Sequence, residues 1–326
     1  MKRREFIAGL GSAAAAWPLA ARAQRPAMPV IGFLSPQSAE GSEIAVTPFQ
    51  QGLREAGLME GRNVAIEYRF ADNQLDRLRM QAADLVRRQV AVIVAHANTA
   101  AVIAKAATAT TPIVFNVGGD PVALGLVASL NRPGANVTGY ASLQTLLIAK
   151  QLELIRELVP KAPVIGFLVD LTNPNTESDT RDMMAAERAT DQKVLVQSVG
   201  DDADLEKSFA ALIQQRAGAV VVGNGTFFSS RHEKLIDLAA RRALPAIYSL
   251  REYALAGGLM SYGSSLGHAY HQIGIFVREI LHGEKPANLP VQQATRVDLV
   301  INLKTAKALG ITFPLTLLGR ADEVIE

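Results

Sequence analysis

The pentapeptide Val30-Ile31-Gly32-Phe33-Leu34 recurs letter for letter at Val164-Ile165-Gly166-Phe167-Leu168, and the segments after each copy recur in the same order. An alternating stretch at residues 63–70 is matched at 193–199, and a helical-period stretch at 75–88 is matched at 205–216. The run Ala91-Val92-Ile93-Val94-Ala95 is matched by Ala219-Val220-Val221-Val222-Gly223, and Pro112-Ile113-Val114-Phe115 by Pro245-Ala246-Ile247-Tyr248. One five-residue identity is compatible with chance. Five corresponding elements in one order are not, and they confine the chain to two similar halves.

Each apolar run is short, rich in β-branched side chains and without alternation, the pattern of a parallel strand covered on both faces. Amphipathic helices separate the runs: Leu75, Leu78, Ala82, Leu85 and Val86 share one helical face, with arginines opposite. The expected fold class is therefore α/β, with two similar lobes, each a parallel sheet flanked by helices with right-handed crossovers. Three segments read as passages between the lobes: the turn-rich stretch 131–140, the glycine-rich stretch 257–263 and residues 294–302. A helix at 268–283 returns to the first lobe, and a short helix follows at 304–309. The chain is thus expected to divide into residues 28–142 plus 262–294 and residues 143–261 plus 295–326. Three passages form a hinge that bends while keeping the lobes in register, an arrangement suited to closing on a ligand.

At 326 residues, with 49% hydrophobic and 20% charged side chains, the chain has enough apolar material for two cores. No run of 18 apolar residues occurs, so no membrane span is expected. Residues 1–23 read separately. A basic start, Lys2-Arg3-Arg4, precedes a small-residue apolar run that ends in Ala21-Arg22-Ala23, an A-x-A cleavage signal before Gln24. The adjacent arginines followed by Glu5-Phe6 resemble a twin-arginine export signal. Cleavage there removes four basic residues and one acidic residue, taking the formal charge from +2 to −1. The basic excess belongs to the signal and gives no reason to expect nucleic acid. With no cysteine, there is no disulfide, no thiolate nucleophile and no lipid anchor at the cleavage point. The mature chain is expected to be a soluble periplasmic monomer.

No catalytic constellation emerges. The glycine-flanked Ser261 lacks nucleophile-elbow spacing, and Gly223-Asn224-Gly225 lacks the third glycine of a dinucleotide fingerprint. His232-Glu233 has no second histidine at zinc-protease spacing, and the pair His268 and His271 has no third ligand. The expectation is a binding protein without metal or cofactor. The competing classes are a ligand sensor that presents its closed form to a membrane receptor and an enzyme on the same two-lobed scaffold.

Several longer segments resemble one family. They include Asn116-Val117-Gly118-Gly119-Asp120-Pro121-Val122, residues 129–139 (SLNRPGANVTG), Lys150-Gln151-Leu152-Glu153-Leu154, residues 257–263 (GGLMSYG) and residues 300–310 (VINLKTAKALG). Together they are similar to the substrate-binding proteins of an ABC importer group that includes tryptophan- and tyrosine-type binders, over about residues 28–326. The resemblance implies a type I periplasmic binding protein fold, a small-molecule ligand in the cleft, and an ABC permease in the inner membrane as partner. It also implies a free amino acid, aromatic in some members, whose carboxylate is held by hydroxyls and backbone amides of the first lobe. An acidic or amide side chain takes the ammonium group, and aromatic residues sandwich the side chain.

Open α/β sheets bind ligands beyond the carboxyl ends of their strands. The candidate residues there are Ser35, Gln37, Asn98, Thr99, Gly118 and Asp120 in the first half, and Asn173, Asn175, Asn224, Thr226 and Tyr248 in the second. Some have a local reading too. Asn98 and Thr99 can cap the helix that follows or share its N-terminus with a ligand carboxylate. Asp120, the set's one carboxylate, either meets a ligand ammonium or hydroxyl or caps the chain at Pro121-Val122. Tyr248 either stacks on a ligand or finishes a core. No cluster of Arg and Lys stands at these ends, so a zwitterion or polar neutral molecule suits them better than a phosphate or dicarboxylate.

Overall fold

The computed structural model describes residues 28–326; the expected export signal at residues 1–23 lies outside them. The first lobe runs β1 (Val30–Ser35), α1 (Glu43–Glu55), β2 (Ala65–Phe70), α2 (Leu75–Arg87), β3 (Val92–His96), α3 (Ala97–Ala107), β4 (Ile113–Val117) and β5 (Val137–Ala141). The second runs α4 (Ile148–Leu158), β6 (Val164–Asp170), α5 (Thr176–Thr190), β7 (Val194–Val199), α6 (Asp202–Gln214), β8 (Ala217–Val222), α7 (Thr226–Ser229), α8 (His232–Arg241), β9 (Ala246–Tyr248), α9 (Arg251–Leu255) and β10 (Met260–Ser264). The chain then forms α10 (Leu266–Leu281), β11 (Gln292–Gln293), β12 (Val297–Asn302), α11 (Leu303–Ala308), α12 (Leu315–Leu318) and β13 (Glu323–Ile325).

The sheets are ordered β2-β1-β3-β4-β5 and β7-β6-β8-β9-β10, so the repeat in sequence is a repeat in space. These five-strand blocks are parallel throughout. The edge strand β11 extends the first block, and β12, antiparallel to β10, extends the second with β13 beyond it. The duplicated pentapeptide owes its glycine to packing. A Cβ on Gly32 would lie 2.8 Å from Leu85 on α2, and one on Gly166 would lie 2.5 Å from Leu212 on α6. In each lobe, the glycine lets a helix leucine seat against the central strand, while Phe33 and Phe167 beside it are fully buried.

Two of the expected passages are displaced. Residues 131–140 lead into β5 and residues 257–263 lead into β10, and these are the fifth strands of the two sheets. The passages lie just beyond, through the 3₁₀ turn Gln144–Leu147 and at Ser264–Leu266. Glycines obscured the strands, because each sits where a side chain does not fit. A Cβ on Gly139 would lie 2.1 Å from the Phe115 carbonyl oxygen, and one on Gly263 would lie 1.7 Å from that of Ser249. The third passage joins β11 in the first sheet to β12 in the second.

After the second passage, α10 lies across the first lobe against α1. The two helices meet at Gly52 and Gly274, where a Cβ on Gly52 would lie 2.2 Å from the His271 carbonyl oxygen. Ala269, Tyr270, Ile273 and Val277 on this helix are fully buried, in one core with Ile31, Phe33, Phe49 and Val94. The glycine contact therefore sets how deeply α10, and Tyr270 with it, enters the first lobe.

Candidate functional site

Parallel register aligns His96, the last residue of β3, with Asn116 near the end of β4. Both side chains emerge at the carboxyl edge of the first sheet. Ala97 turns sharply into α3 with φ +66°, a left-handed conformation that costs an alanine about 1–2 kcal/mol and is retained where surrounding contacts enforce it. This turn presents the buried Asn98 and Thr99 to the second lobe.

Asn98 is saturated with hydrogen bonds. Its Oδ1 accepts from the Gly118 amide at 2.8 Å and the Gly119 amide at 3.4 Å. Its Nδ2 donates to Asn173 Oδ1 and Asn175 Oδ1, both at 3.0 Å. Since a backbone amide can only donate, the orientation of the Asn98 side chain follows from its partners. Thr99 Oγ1 donates to the Thr172 carbonyl at 3.2 Å.

Gln37 has a similarly determined orientation. Its Nε2 donates to the Thr226 carbonyl at 3.3 Å and to Ser229 Oγ at 2.9 Å, leaving Oε1 to accept from His96 Nε2 at 2.8 Å. His96 is therefore the Nε2–H tautomer, and its Nδ1 accepts from the Tyr270 hydroxyl. Burial lowers the His96 pKa to about 4 and pushes the Tyr270 hydroxyl well above its ordinary range, so both are neutral at pH 7.

In the second lobe, Asp170 at the end of β6 organises the cleft wall. It accepts from the Thr172 amide and hydroxyl at 2.8 and 2.7 Å and from the Phe227 amide at 3.1 Å. Gly225 lies so close that a Cβ there would come within 2.2 Å of the carboxylate. Asn173 Nδ2 donates to the Asn224 carbonyl at 2.8 Å, fixing the two asparagines relative to one another.

Between the lobes is a small cavity of about 60 Å³. His96, Asn98, Thr99, Asn116, Gly118 and Ser142 line it from the first lobe, and Asn173, Asn224, Gly225, Thr226, Ser229 and Leu250 from the second. Gln144, Leu266 and Tyr270 close it near the hinge. Gln144 Nε2 donates to Ser264 Oγ at 3.1 Å, while its buried Oε1 has no hydrogen-bond partner among the described residues. None of the lining residues is Asp, Glu, Lys or Arg, so the wall carries no formal charge at neutral pH.

Of the residues expected at the site, Asn98, Thr99, Gly118, Asn173, Asn224 and Thr226 line this cavity. Gln37 and Asn175 bridge the lobes beside it. The other three stand elsewhere. Ser35 is buried below the cleft, paired with Ser42 Oγ at 2.8 Å. Asp120 is exposed, and its Oδ1 accepts from the Val122 amide at 2.8 Å, the local capping role. Tyr248 stacks on Tyr253 inside the second lobe, with ring centroids 4.6 Å apart. The imidazoles of His268 and His271 go to Tyr140 and Glu55, and the described residues hold no group of three potential metal ligands.

His96 and Asn116 were within reach of the strand-end rule, since each closes an apolar run. Tyr270, Leu250 and Leu266 were not. They arrive on segments whose placement depends on the path between the lobes.

A family described as ABC transporter substrate binding protein matches residues 30–325. The chain belongs to that family. A tyrosine-binding protein of Clostridioides difficile is 26% identical over 263 residues, covering 81% of this chain and 75% of the relative. A structure of a conserved domain protein from Vibrio cholerae has TM-score 0.85 and 27% identity, covering 91% of this substrate-binding protein and 99% of that chain. A structure from Streptococcus pneumoniae, described as an ABC domain in complex with L-Trp, has TM-score 0.83 and 25% identity at the same coverages. The two-lobed fold is that of type I periplasmic binding proteins.

Protonation of this substrate-binding protein has two opposing buried contributors. Asp179, on the first turns of α5, is 3% exposed and has one carboxylate oxygen without a partner among the described residues. Burial, and then the neighbouring Asp182 charge, raises its pKa to about 7. Between about pH 4 and 7, the folded chain binds a proton at Asp179 that the unfolded chain releases, so this group's contribution to stability falls as pH rises. His96 acts oppositely. From about pH 6.5 down to 4, the unfolded chain protonates this imidazole and the folded chain does not, so its contribution falls as pH falls. Asp179→Asn is therefore expected to stabilise the protein by roughly 2–4 kcal/mol at pH 8, with the gain vanishing by about pH 4. Denaturant titrations across that range check it; a gain independent of pH would contradict the assignment.

Proposed function

We propose that this chain is the exported solute-capturing component of an ABC importer, taking a small zwitterionic amino acid with a neutral, aromatic side chain. The lobes close on the solute, and the closed form docks on the membrane permease. The observation that carries this reading is the cavity wall, built from both lobes, rich in neutral donors and acceptors and without formal charge.

A zwitterion has no net charge and can be met by amides and hydroxyls. An additional charge on its side chain would be buried without a partner, which costs several kcal/mol. With Asp120 outside the cavity, the ammonium group is left to neutral acceptors, of which Gln144 Oε1 has no partner among the described residues. Leu250, Leu266 and Tyr270 supply apolar surface for the side chain. The relatives named for tyrosine and tryptophan support an aromatic solute. No lining serine or threonine hydroxyl is hydrogen-bonded to a histidine, lysine or carboxylate, which supports capture without turnover.

A thermal-shift panel of amino acids, sugars and nucleosides tests the reading. Aromatic amino acids are expected to stabilise the protein by about 2.7 kcal/mol at one hundred times their Kd. Aspartate, glutamate, lysine and arginine should leave the midpoint unchanged, and recovered solute should be chemically intact. A response confined to sugars, or to charged amino acids, would sink the proposal.

A further inference from the structure

We propose that Asn224 and Gly225, in the second lobe's share of the cavity wall, form a self-modifying site at which the asparagine amide is converted to an acid. The sequence sets this pair apart. Of the eleven asparagines, Asn224 alone is followed by glycine. After each of the others stands a residue whose side chain hinders attack by its own amide nitrogen, and after Asn173 stands Pro174, which has no N–H.

The structure leaves both reacting groups free. The pair lies half-buried on the turn between β8 and α7, with Gly225 at the cap of α7. Its amide nitrogen is therefore outside the helix ladder, and among the described residues it donates to no acceptor. Of Asn224, only the main-chain carbonyl is engaged among those residues, by Asn173 Nδ2 at 2.8 Å. The side chain of Asn98, by contrast, is bonded through both its oxygen and its nitrogen. Glycine at 225 gives the backbone freedom to bring the Asn224 Cγ onto the next nitrogen. That glycine is imposed by packing. A Cβ there would fall 2.2 Å from Asp170 Oδ2, so the reactive neighbour cannot be exchanged without disturbing the carboxylate that organises this wall.

The chemistry balances with water alone. The Gly225 nitrogen gives its proton to hydroxide and attacks the Asn224 Cγ; the N–Cγ bond forms, the Cγ–Nδ2 bond breaks, and ammonia leaves. The resulting succinimide takes up water at either carbonyl and opens to aspartate or to isoaspartate. Nothing is oxidised or reduced. Either product puts a carboxylate into a wall that otherwise carries no formal charge. The isoaspartyl form also lengthens the main chain and removes from it the carbonyl that holds Asn173, beside the glycine seated on Asp170. The charge arises where the lobes meet, since a Cβ on Gly118 of the first lobe would fall 2.2 Å from Asn224 Nδ2. The inference concerns the wall's own chemistry and holds for any solute the cavity takes.

Trypsin releases residues 217–231 as one peptide, in which Asn224 is the sole side-chain amide. The purified chain is aged at mildly alkaline pH, digested and followed by mass spectrometry. The peptide is expected to show the amide-to-acid mass increase at a rate within about tenfold of the same peptide free in solution, and an isoaspartyl methyltransferase should label it. Peptides holding the other asparagines should stay unchanged. The aged protein should melt about 2–4 °C lower, the effect of losing one buried hydrogen bond in a domain of this size. Asn224→Gln, whose ring closure is far slower, should keep both its amide and its midpoint. A folded chain whose Asn224 stays an amide while the free peptide converts would overturn the proposal. So would conversion spread evenly over the asparagines. Because no solute enters the measurement, its failure would leave the ligand assignment standing.

Discussion

Valine in place of Gly52 is expected to lower the thermal midpoint by about 6–12 °C and to weaken solute binding with it. The Cβ alone would stand 2.2 Å from the His271 carbonyl oxygen and 2.9 Å from its carbon, backbone atoms of α10 that no rotamer change can move aside. Gly274 makes the reciprocal approach, with a Cβ there lying 2.6 Å from Gly52 carbon and Leu53 nitrogen. The helices must separate, and α10 withdraws from the buried cluster containing Phe33, Phe49 and Val94. Overpacking of this kind costs about 3 kcal/mol or more, which for lobes of this size corresponds to the stated shift. Tyr270 rides on the same helix, so its bond to His96 and its place in the cavity wall are lost together. Calorimetric melting and a binding titration on one preparation check both effects. A variant that melts like the parent would refute the account of this crossing.

Gly119→Val separates closure from folding. Gly119 lies on the turn after β4, and its Cβ would meet three atoms of the Asn175 side chain at 1.9, 2.6 and 2.7 Å. Asn175 is tied to Asn98 across the cleft and cannot yield without releasing that bond. The three atoms nearest that position all belong to Asn175 of the second lobe, so the clash falls between the lobes and stability is expected to change little. Solute affinity should fall by about 100-fold, because closure supplies the contacts of the second lobe. Circular dichroism with a titration reads the two quantities independently, and undiminished affinity would show that closure does not bring these residues together.

The two-lobed fold was legible because its signal is repeated. The duplicated VIGFL strand, its glycine opposite a helix leucine, and the apolar runs at β3 and β8 each appear twice. The fifth strand of each sheet was not legible. In β5 and β10, the glycines that permit close approach to the Phe115 and Ser249 carbonyl groups also break the apolar run by which strands are recognised. The cavity was partly legible for a related reason. Strand-end position picks out Asn98, Thr99, Gly118, Asn173, Asn224 and Thr226, each within four positions of the end of its own strand. It does not distinguish a side chain that faces the cleft from one that turns back, and so Asp120 and Tyr248 satisfied the pattern while serving a cap and a core. Tyr270, 174 residues from the histidine it contacts, depends on a helix crossing that no local pattern encodes.

The central claim is that a solute is held between the lobes by closure over an uncharged wall. Isothermal titration of L-tyrosine and L-tryptophan into the purified chain and its Gly119→Val variant tests it most directly. The account predicts one saturable site per chain with a negative heat-capacity change, and a loss of about 100-fold in the variant. No heat from either amino acid, or equal affinity in parent and variant, would contradict it.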